Sequence, residues 1–239
     1  MTALRQRMLE ELQRRNYSKE TIRLYLFAVK DFARHFKKRP DLLRQEHMRE
    51  FQLHLLNERK LSVETVAGRI TALRFFFVKV LRRPFQELDL VYPKLPVRLP
   101  TVLSEGEVAR LIESASSAYH RVIITTLYAT GMRRAELARL KVEDIDSPRM
   151  VIHVRQGKGG KDRDVTLSPR LLEVLRDYWK WRKPQVYLFP SLFRPRPDKP
   201  ITSKTIWYAV HEAARRAGIK KRITPHTLRH YSESRTITG

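Results

Sequence analysis

The chain has 239 residues, 42% hydrophobic and 31% charged, and contains no cysteine. This is enough for one large domain or two modest ones, and it excludes disulfides and thiolate-based metal sites. Lys and Arg total 49 against 25 acidic residues, a net charge of +24, and a basic excess of this size in a globular composition implies nucleic acid as partner. The excess is spread along the chain: residues 1–92 hold 20 basic and 11 acidic side chains, and residues 93–239 hold 29 and 14. An anionic membrane surface is the competing partner, but it would call for an amphipathic lipid-binding helix or a polybasic anchor, and neither is read here. No apolar run approaches the roughly 20 residues that span a bilayer. The start, Met1-Thr2-Ala3-Leu4-Arg5-Gln6-Arg7, has no signal-peptide core, and cytoplasmic residence is expected.

Taken in order, residues 3–15 carry Leu4, Met8, Leu9 and Leu12 on one helical stripe. Ser18 can cap a second helix running to Phe36, with Ile22, Tyr25, Leu26, Val29 and Phe32 at steps of three and four. A third helix is predicted from Gln45 to Glu58, and a fourth after Ser62 with Val66, Ile70, Leu73, Phe76, Phe77 and Val80 as its apolar face. Four helices with short polar connections predict a helical domain over residues 1–83, whose outward basic side chains include Arg69 and Arg74. From Pro84 to Arg98 the helical period is lost and prolines recur, which reads as a semi-rigid linker.

A second domain opens with Ser104-Glu105-Gly106-Glu107, a capping-box pattern. Helices follow near 105–115 and 119–130, and Gly131 ends the second of these. Arg133 then stands at the start of a further helix, with Glu136 one turn on. Residues 150–154 and 163–167 read as a hairpin around the turn Gln156-Gly157-Lys158-Gly159-Gly160-Lys161-Asp162. Ser168-Pro169 starts a helix through Trp181, Leu188-Phe189-Pro190 reads as a short buried elbow, and Arg194 to Pro200 as a basic loop. A helix from Ser203 to Ala217 is stopped by Gly218.

The stretch Thr224-Pro225-His226-Thr227-Leu228-Arg229-His230 begins another helix. Thr224 suits the cap and Pro225 the first turn. His226 and Arg229 then lie on one face near the positive helix end, a plausible grip on a phosphate. His120, His153 and His211 show no metal-ligand spacing with carboxylates. Gly157-Lys158-Gly159 lacks the strand–loop–helix frame of a nucleotide-phosphate loop.

Four segments in this order carry a resemblance: Thr130-Gly131-Met132-Arg133-Arg134-Ala135-Glu136-Leu137, the Gly157-to-Arg163 turn, Leu188-Phe189-Pro190, and Pro225-His226-Thr227-Leu228-Arg229-His230. The chain resembles the tyrosine recombinase, or phage integrase, family of site-specific DNA recombinases. The resemblance implies a mainly α fold with a small antiparallel β-sheet. It implies a four-helix core-binding, SAM-like domain over 1–83, a linker over 84–98, and a catalytic domain over 99–239. It also implies double-stranded DNA as partner, together with other recombinase subunits on that DNA, and no cofactor, metal or small-molecule substrate.

The family cleaves a DNA phosphodiester with a tyrosine, leaving a 3′-phosphotyrosine link. By match, Arg133 and Arg229 supply the forks that meet transition-state charge. His226 assists as donor and proton shuttle, and Glu136 orients Arg133. Lys158 matches the hairpin lysine that protonates the leaving 5′-oxygen, with Lys161 its rival in the same turn. Arg134 and Arg139 compete with Arg133 on charge alone. Arg69, Arg74, Lys161 and Arg163 are expected to contact DNA.

After His230 the chain reads Tyr231-Ser232-Glu233-Ser234-Arg235-Thr236-Ile237-Thr238-Gly239, without the apolar helix, second His or Trp, and nucleophilic tyrosine of the family. Tyr231, two residues from Arg229, is badly placed to attack in line. The expectation is a recombinase whose catalytic domain is cut short and which lacks its nucleophile. The alternatives are a non-catalytic duplex DNA-binding protein and a basic RNA- or ribosome-associated protein.

Overall fold

The structure, a computed structural model, describes residues 2–84, 91–94, 101–155, 162–191 and 196–229. The chain divides into two compact units, Met1–Arg98 and Leu99–Gly239.

The first unit is built from α1 (Ala3–Arg14), α2 (Lys19–Phe36), α3 (Gln45–Leu53) and α4 (Val63–Phe75). The hydroxyls of Ser18 and Ser62 accept from the backbone N–H groups of Thr21 and Thr65, which caps α2 and α4 as their sequences predict. The third and fourth helices do not stay α-helical to their ends. Each closes in a wider π turn, His54–Glu58 and Phe76–Val80. Phe75, Phe76 and Phe77 are all buried, so the end of the fourth helix is enclosed on several sides rather than along one stripe. Phe32 of α2 sits at the centre, its ring edge-on to Phe36, Phe51 and Phe77.

In the second unit the capping box forms as read: Ser104 Oγ accepts from Glu107 N–H, and the Glu107 carboxylate accepts from Ser104 N–H. It opens α5 (Glu105–Glu113), followed by α6 (Ala118–Thr130) and the short α7 (Arg134–Arg139). Then come β1 (Ile145–Asp146), β2 (Val151–Val154) and β3 (Arg163–Thr166), an antiparallel sheet in that order with Val151 opposite Thr166 and Val154 opposite Arg163. The hairpin is legible in the sequence, but β1 is too short to show a period. The turn between the strands, with Lys158 and Lys161, lies outside the described residues.

Helix α8 (Pro169–Arg182) starts on the Ser168 cap. The elbow is buried, Leu188 and Phe189 both lying in the core. Tyr178 donates to the Leu188 carbonyl at 2.9 Å and Tyr119 to that of Pro190 at 2.8 Å, which ties the elbow to α8 and α6. The loop expected at 194–200 contains a strand: β4 (Pro190–Ser191) pairs with β5 (Arg196–Pro200). Prolines are compatible with such a ribbon because both of its strands are edges. Helix α9 (Ser203–Arg216) packs on α6, α7 and α5, and Gly218 leaves it at φ +66°. Among the described residues no helix is long and apolar enough to cross a membrane.

Because Phe32 is fully buried against three aromatic rings, Phe32→Ala is expected to destabilise the first unit by about 3–5 kcal/mol. Chemical denaturation of the full chain followed by circular dichroism reads this loss.

Candidate active site

The site begins at the turn between α6 and α7. Thr130 donates its hydroxyl to the Thr126 carbonyl at 2.6 Å, one helical turn back, and accepts from Met132 N–H at 3.4 Å. Gly131 follows at φ +58°, the left-handed conformation in which a Cβ is strained. Met132 is buried and fixes the exit of the turn in the core. Arg133 is therefore delivered as the N-cap of α7 with its side chain 38% exposed.

Glu136 lies one turn into α7 with only 2% of its side chain exposed. Its Oε1 accepts from Arg133 Nη1 at 2.8 Å and from Arg163 Nη1 at 3.0 Å. Its Oε2 accepts from Arg133 backbone N–H at 2.8 Å and from Arg163 Nη2 at 2.7 Å. Burial by itself pushes this carboxyl up. The hydrogen bonds from Arg163 and from the Arg133 backbone and side chain outweigh that and bring its pKa to about 2.

The second arm comes from the backbone that is helical over 225–229. Thr224 Oγ1 accepts from Thr227 N–H and Thr227 Oγ1 accepts from Thr224 N–H, a reciprocal cap built from two threonines. Thr227 and Leu228 are buried while His226 is exposed. Half-buried Arg229 donates Nη1 to the Gly131 carbonyl at 3.1 Å. That bond joins the base of the second arm to the turn that presents Arg133.

A pocket of about 480 Å³ lies between the arms, lined by Met132, Arg133, Arg134, Ala135, Ser203, Trp207, Thr224, Pro225 and His226. The structure thus brings Arg133 and His226 to one cavity, with Arg229 bonded at its edge. Arg134 lines it too, but Arg133 is the arginine held by Glu136. Arg139 lines a different, smaller pocket, with Glu136 and Asp144.

Two expected DNA contacts find partners inside the protein. Arg163, expected to contact DNA, holds Glu136 with both Nη groups. Arg69 is only 14% exposed and bonds Asp31 at 2.5 Å, with its guanidinium 4.6 Å from the Phe27 ring centroid. The reason is the same in both cases: a carboxylate distant in sequence is adjacent in space. Arg74 is on the exposed side of α4. Lys158, Lys161 and Tyr231 lie outside the described residues.

Sequence reasoning missed Ser203 and Trp207 as pocket-lining residues. Their spacing of four along α9 puts them on one face, but nothing local says that this face meets the α7 start. His153, set aside as a metal ligand, bonds Asp164 through Nδ1 at 2.7 Å and so joins β2 to β3.

Residues 101–237 match the profile of the phage integrase family, and residues 4–87 match that of the phage integrase N-terminal SAM-like domain. A Sinorhizobium fredii protein described as an integrase/recombinase, y4qK, is 46% identical over 231 residues, 96% of this chain and 74% of the relative. Tyrosine recombinase XerA of Pyrococcus horikoshii is 34% identical over 219 residues, 89% of this chain and 72% of the relative. Among solved structures, XerA recombinase aligns at 31% identity with a TM-score of 0.53, over 98% of this chain and 83% of that one. Lambda integrase residues 75–356, crystallised as a dimer bound to a COC′ core site, share the fold with a TM-score of 0.79. That alignment has 18% identity and covers 97% of this chain and 88% of that one. The chain belongs to the phage integrase family, the tyrosine recombinases. Site-specific recombination is the activity that this membership supports.

Glutamate normally titrates near 4.5, and Glu136 in the folded chain near 2. Since the folded value is the lower one, its pairing adds stability above about pH 4.5 that is lost as pH falls towards 2. The stability advantage of the parent chain over Glu136→Gln is expected to shrink across that window, as read from denaturation curves at stepped pH.

Proposed function

We infer that this chain grips duplex DNA and seats one backbone phosphate in the pocket between Arg133 and His226, as the DNA-binding body of a tyrosine recombinase. The observation that carries this reading is the convergence on one cavity of an arginine held by a buried carboxylate and a histidine from a distant segment, with a second arginine hydrogen-bonded to the turn between them. A pentacoordinate phosphate in transit accumulates charge on its non-bridging oxygens. Planar guanidinium forks fixed beforehand meet that charge without reorganising. His226, at the exposed start of its helix, is the donor and proton carrier in this reading. Lys158 is assigned by family match as the acid that protonates the leaving 5′-oxygen, with Lys161 the alternative. The net charge of +24 supplies the long-range attraction for the polyanion. The solved integrase whose fold it shares was crystallised on its DNA core site.

The same reading gives the 239 residues binding without cleavage on their own. In the second unit Tyr119 and Tyr178 are buried, and their hydroxyls are donated to backbone carbonyls. Burial pushes both phenols up, away from the phenolate that would attack a phosphate. Among the described residues no tyrosine lines the Arg133–His226 pocket. A tyrosine from outside these residues, or from a neighbouring subunit on the DNA, would complete the reaction.

Fluorescence anisotropy with a labelled duplex tests the binding. Affinity is expected to fall by about a hundredfold or more between roughly 50 and 200 mM salt, and by about tenfold in Arg133→Ala or Arg229→Ala. Affinity indifferent to both salt and these substitutions would overturn the reading. A suicide substrate carrying a nick near the scissile phosphate tests the chemistry. No covalent protein–DNA adduct is expected from the purified 239 residues, and an adduct would show that they carry their own nucleophile.

A further inference from the structure

Arg133 and Arg163 share one carboxylate, and the sharing is saturated. Each oxygen of Glu136 takes one bond from each arginine, four in all, at 2.7–3.0 Å, which is the full acceptor capacity of a carboxylate. The three side chains carry two positive charges and one negative, so the cluster keeps one net positive charge. Glu136 is almost fully enclosed, whereas about a third of each arginine side chain reaches solvent. Only Arg133 of the two lines the pocket with His226. Arg163 opens β3, across the sheet from Val154.

A buried carboxylate with a single arginine partner closes on it as a bidentate pair, and that arginine's charge is then consumed. Here Arg163 approaches Glu136 with both Nη groups, one to each oxygen, in the fork geometry of such a pair. It compensates the carboxylate from the sheet side. The Arg133 guanidinium then needs to spend only one Nη bond on Glu136, and its remaining donors and its charge stay available to a ligand. Resting on the phosphate-grip reading, we propose that Arg163 is a positioning residue for Arg133: it neutralises and anchors Glu136 so that Arg133 is held at the pocket without being captured by its own carboxylate. Arg163 makes no DNA contact of its own.

The test is a double-mutant cycle read by duplex affinity, on chains first shown to be folded by circular dichroism. Arg133→Ala and Arg163→Gln are each expected to weaken binding by about tenfold. The double variant is expected within about twofold of Arg133→Ala alone, because Arg163 acts only through Arg133. Arg163→Lys keeps the charge but not the fork, and is expected to bind closer to Arg163→Gln than to the parent chain. Where Arg163→Gln does not fold, Arg163→Lys takes its place in the cycle. Losses that multiply to about a hundredfold in the double variant, or full recovery in Arg163→Lys, would make Arg163 an independent cationic contact and overturn the proposal. A DNA-free arm separates this from failure of the DNA reading. The NMR signal of the Arg133 Nε–H group is expected to shift in Arg163→Gln as the guanidinium closes on Glu136. An unmoved signal contradicts the positioning role whether or not the chain binds DNA.

Discussion

A carboxylate with 2% of its side chain exposed can stay charged only if its oxygens are fully bonded, and the second unit is arranged around meeting that condition for Glu136. The four bonds it accepts come from two places that the sequence keeps apart, the start of α7 and the start of β3. Meeting the condition fixes the helix against the sheet. It also fixes the N-cap residue, because one of the four donors is the Arg133 backbone N–H itself. Orientation of a site residue and registration of two secondary elements are thus one interaction.

The turn before Arg133 extends the same constraint to the other arm. Gly131 in the left-handed region lets α6 stop and α7 begin within three residues. Its backbone carbonyl receives Arg229. A side chain at this position would be strained at φ +58°. The two arginines of the site are therefore neighbours because one sits just after this turn and the other bonds its carbonyl. Thr130, bonding both backwards and forwards, keeps the turn from fraying.

What was legible in the sequence was what local chemistry decides. The serine caps, the capping box, the four amphipathic helices, the hairpin strands, the buried elbow and the Gly218 stop all depend on residues within a few positions of one another. Arg133, Glu136, His226 and Arg229 were legible because motif order brought them together before geometry did. Three kinds of feature were not. Strand β1, with two residues, is too short for a period, and the β4–β5 ribbon is masked by prolines. The π turns that end the third and fourth helices share the apolar spacing of the α-helices they extend. The partners of Arg69 and Arg163 are 38 and 27 residues away, beyond any local pattern. Those two internal pairings were hidden for one reason: an arginine on an element surface looks the same in sequence whether water or a carboxylate faces it.

That distinction bears on what a net charge of +24 means. The basic residues are not one population. Arg83 donates to the carbonyls of Leu43 and Asp41 and lies over the Phe77 ring, so it serves the first unit as a cross-brace. Arg69 and Arg59 share Asp31. Arg155 bonds Asp144, another buried acid, at 2.7 Å. These arginines are structural elements, and for Arg59, Arg69 and Arg155 a carboxylate partly offsets the charge where it stands. A carboxylate that serves one arginine neutralises it; one that serves two, as Glu136 and Asp31 do, leaves a positive charge fixed in place and oriented by hydrogen bonds. For gripping a phosphate the second arrangement is the more useful, because the charge is already positioned when the anion arrives and little ordering remains to be done. Net charge sets the long-range attraction for a polyanion, whereas the shared acids set where a positive charge is held and how it is oriented.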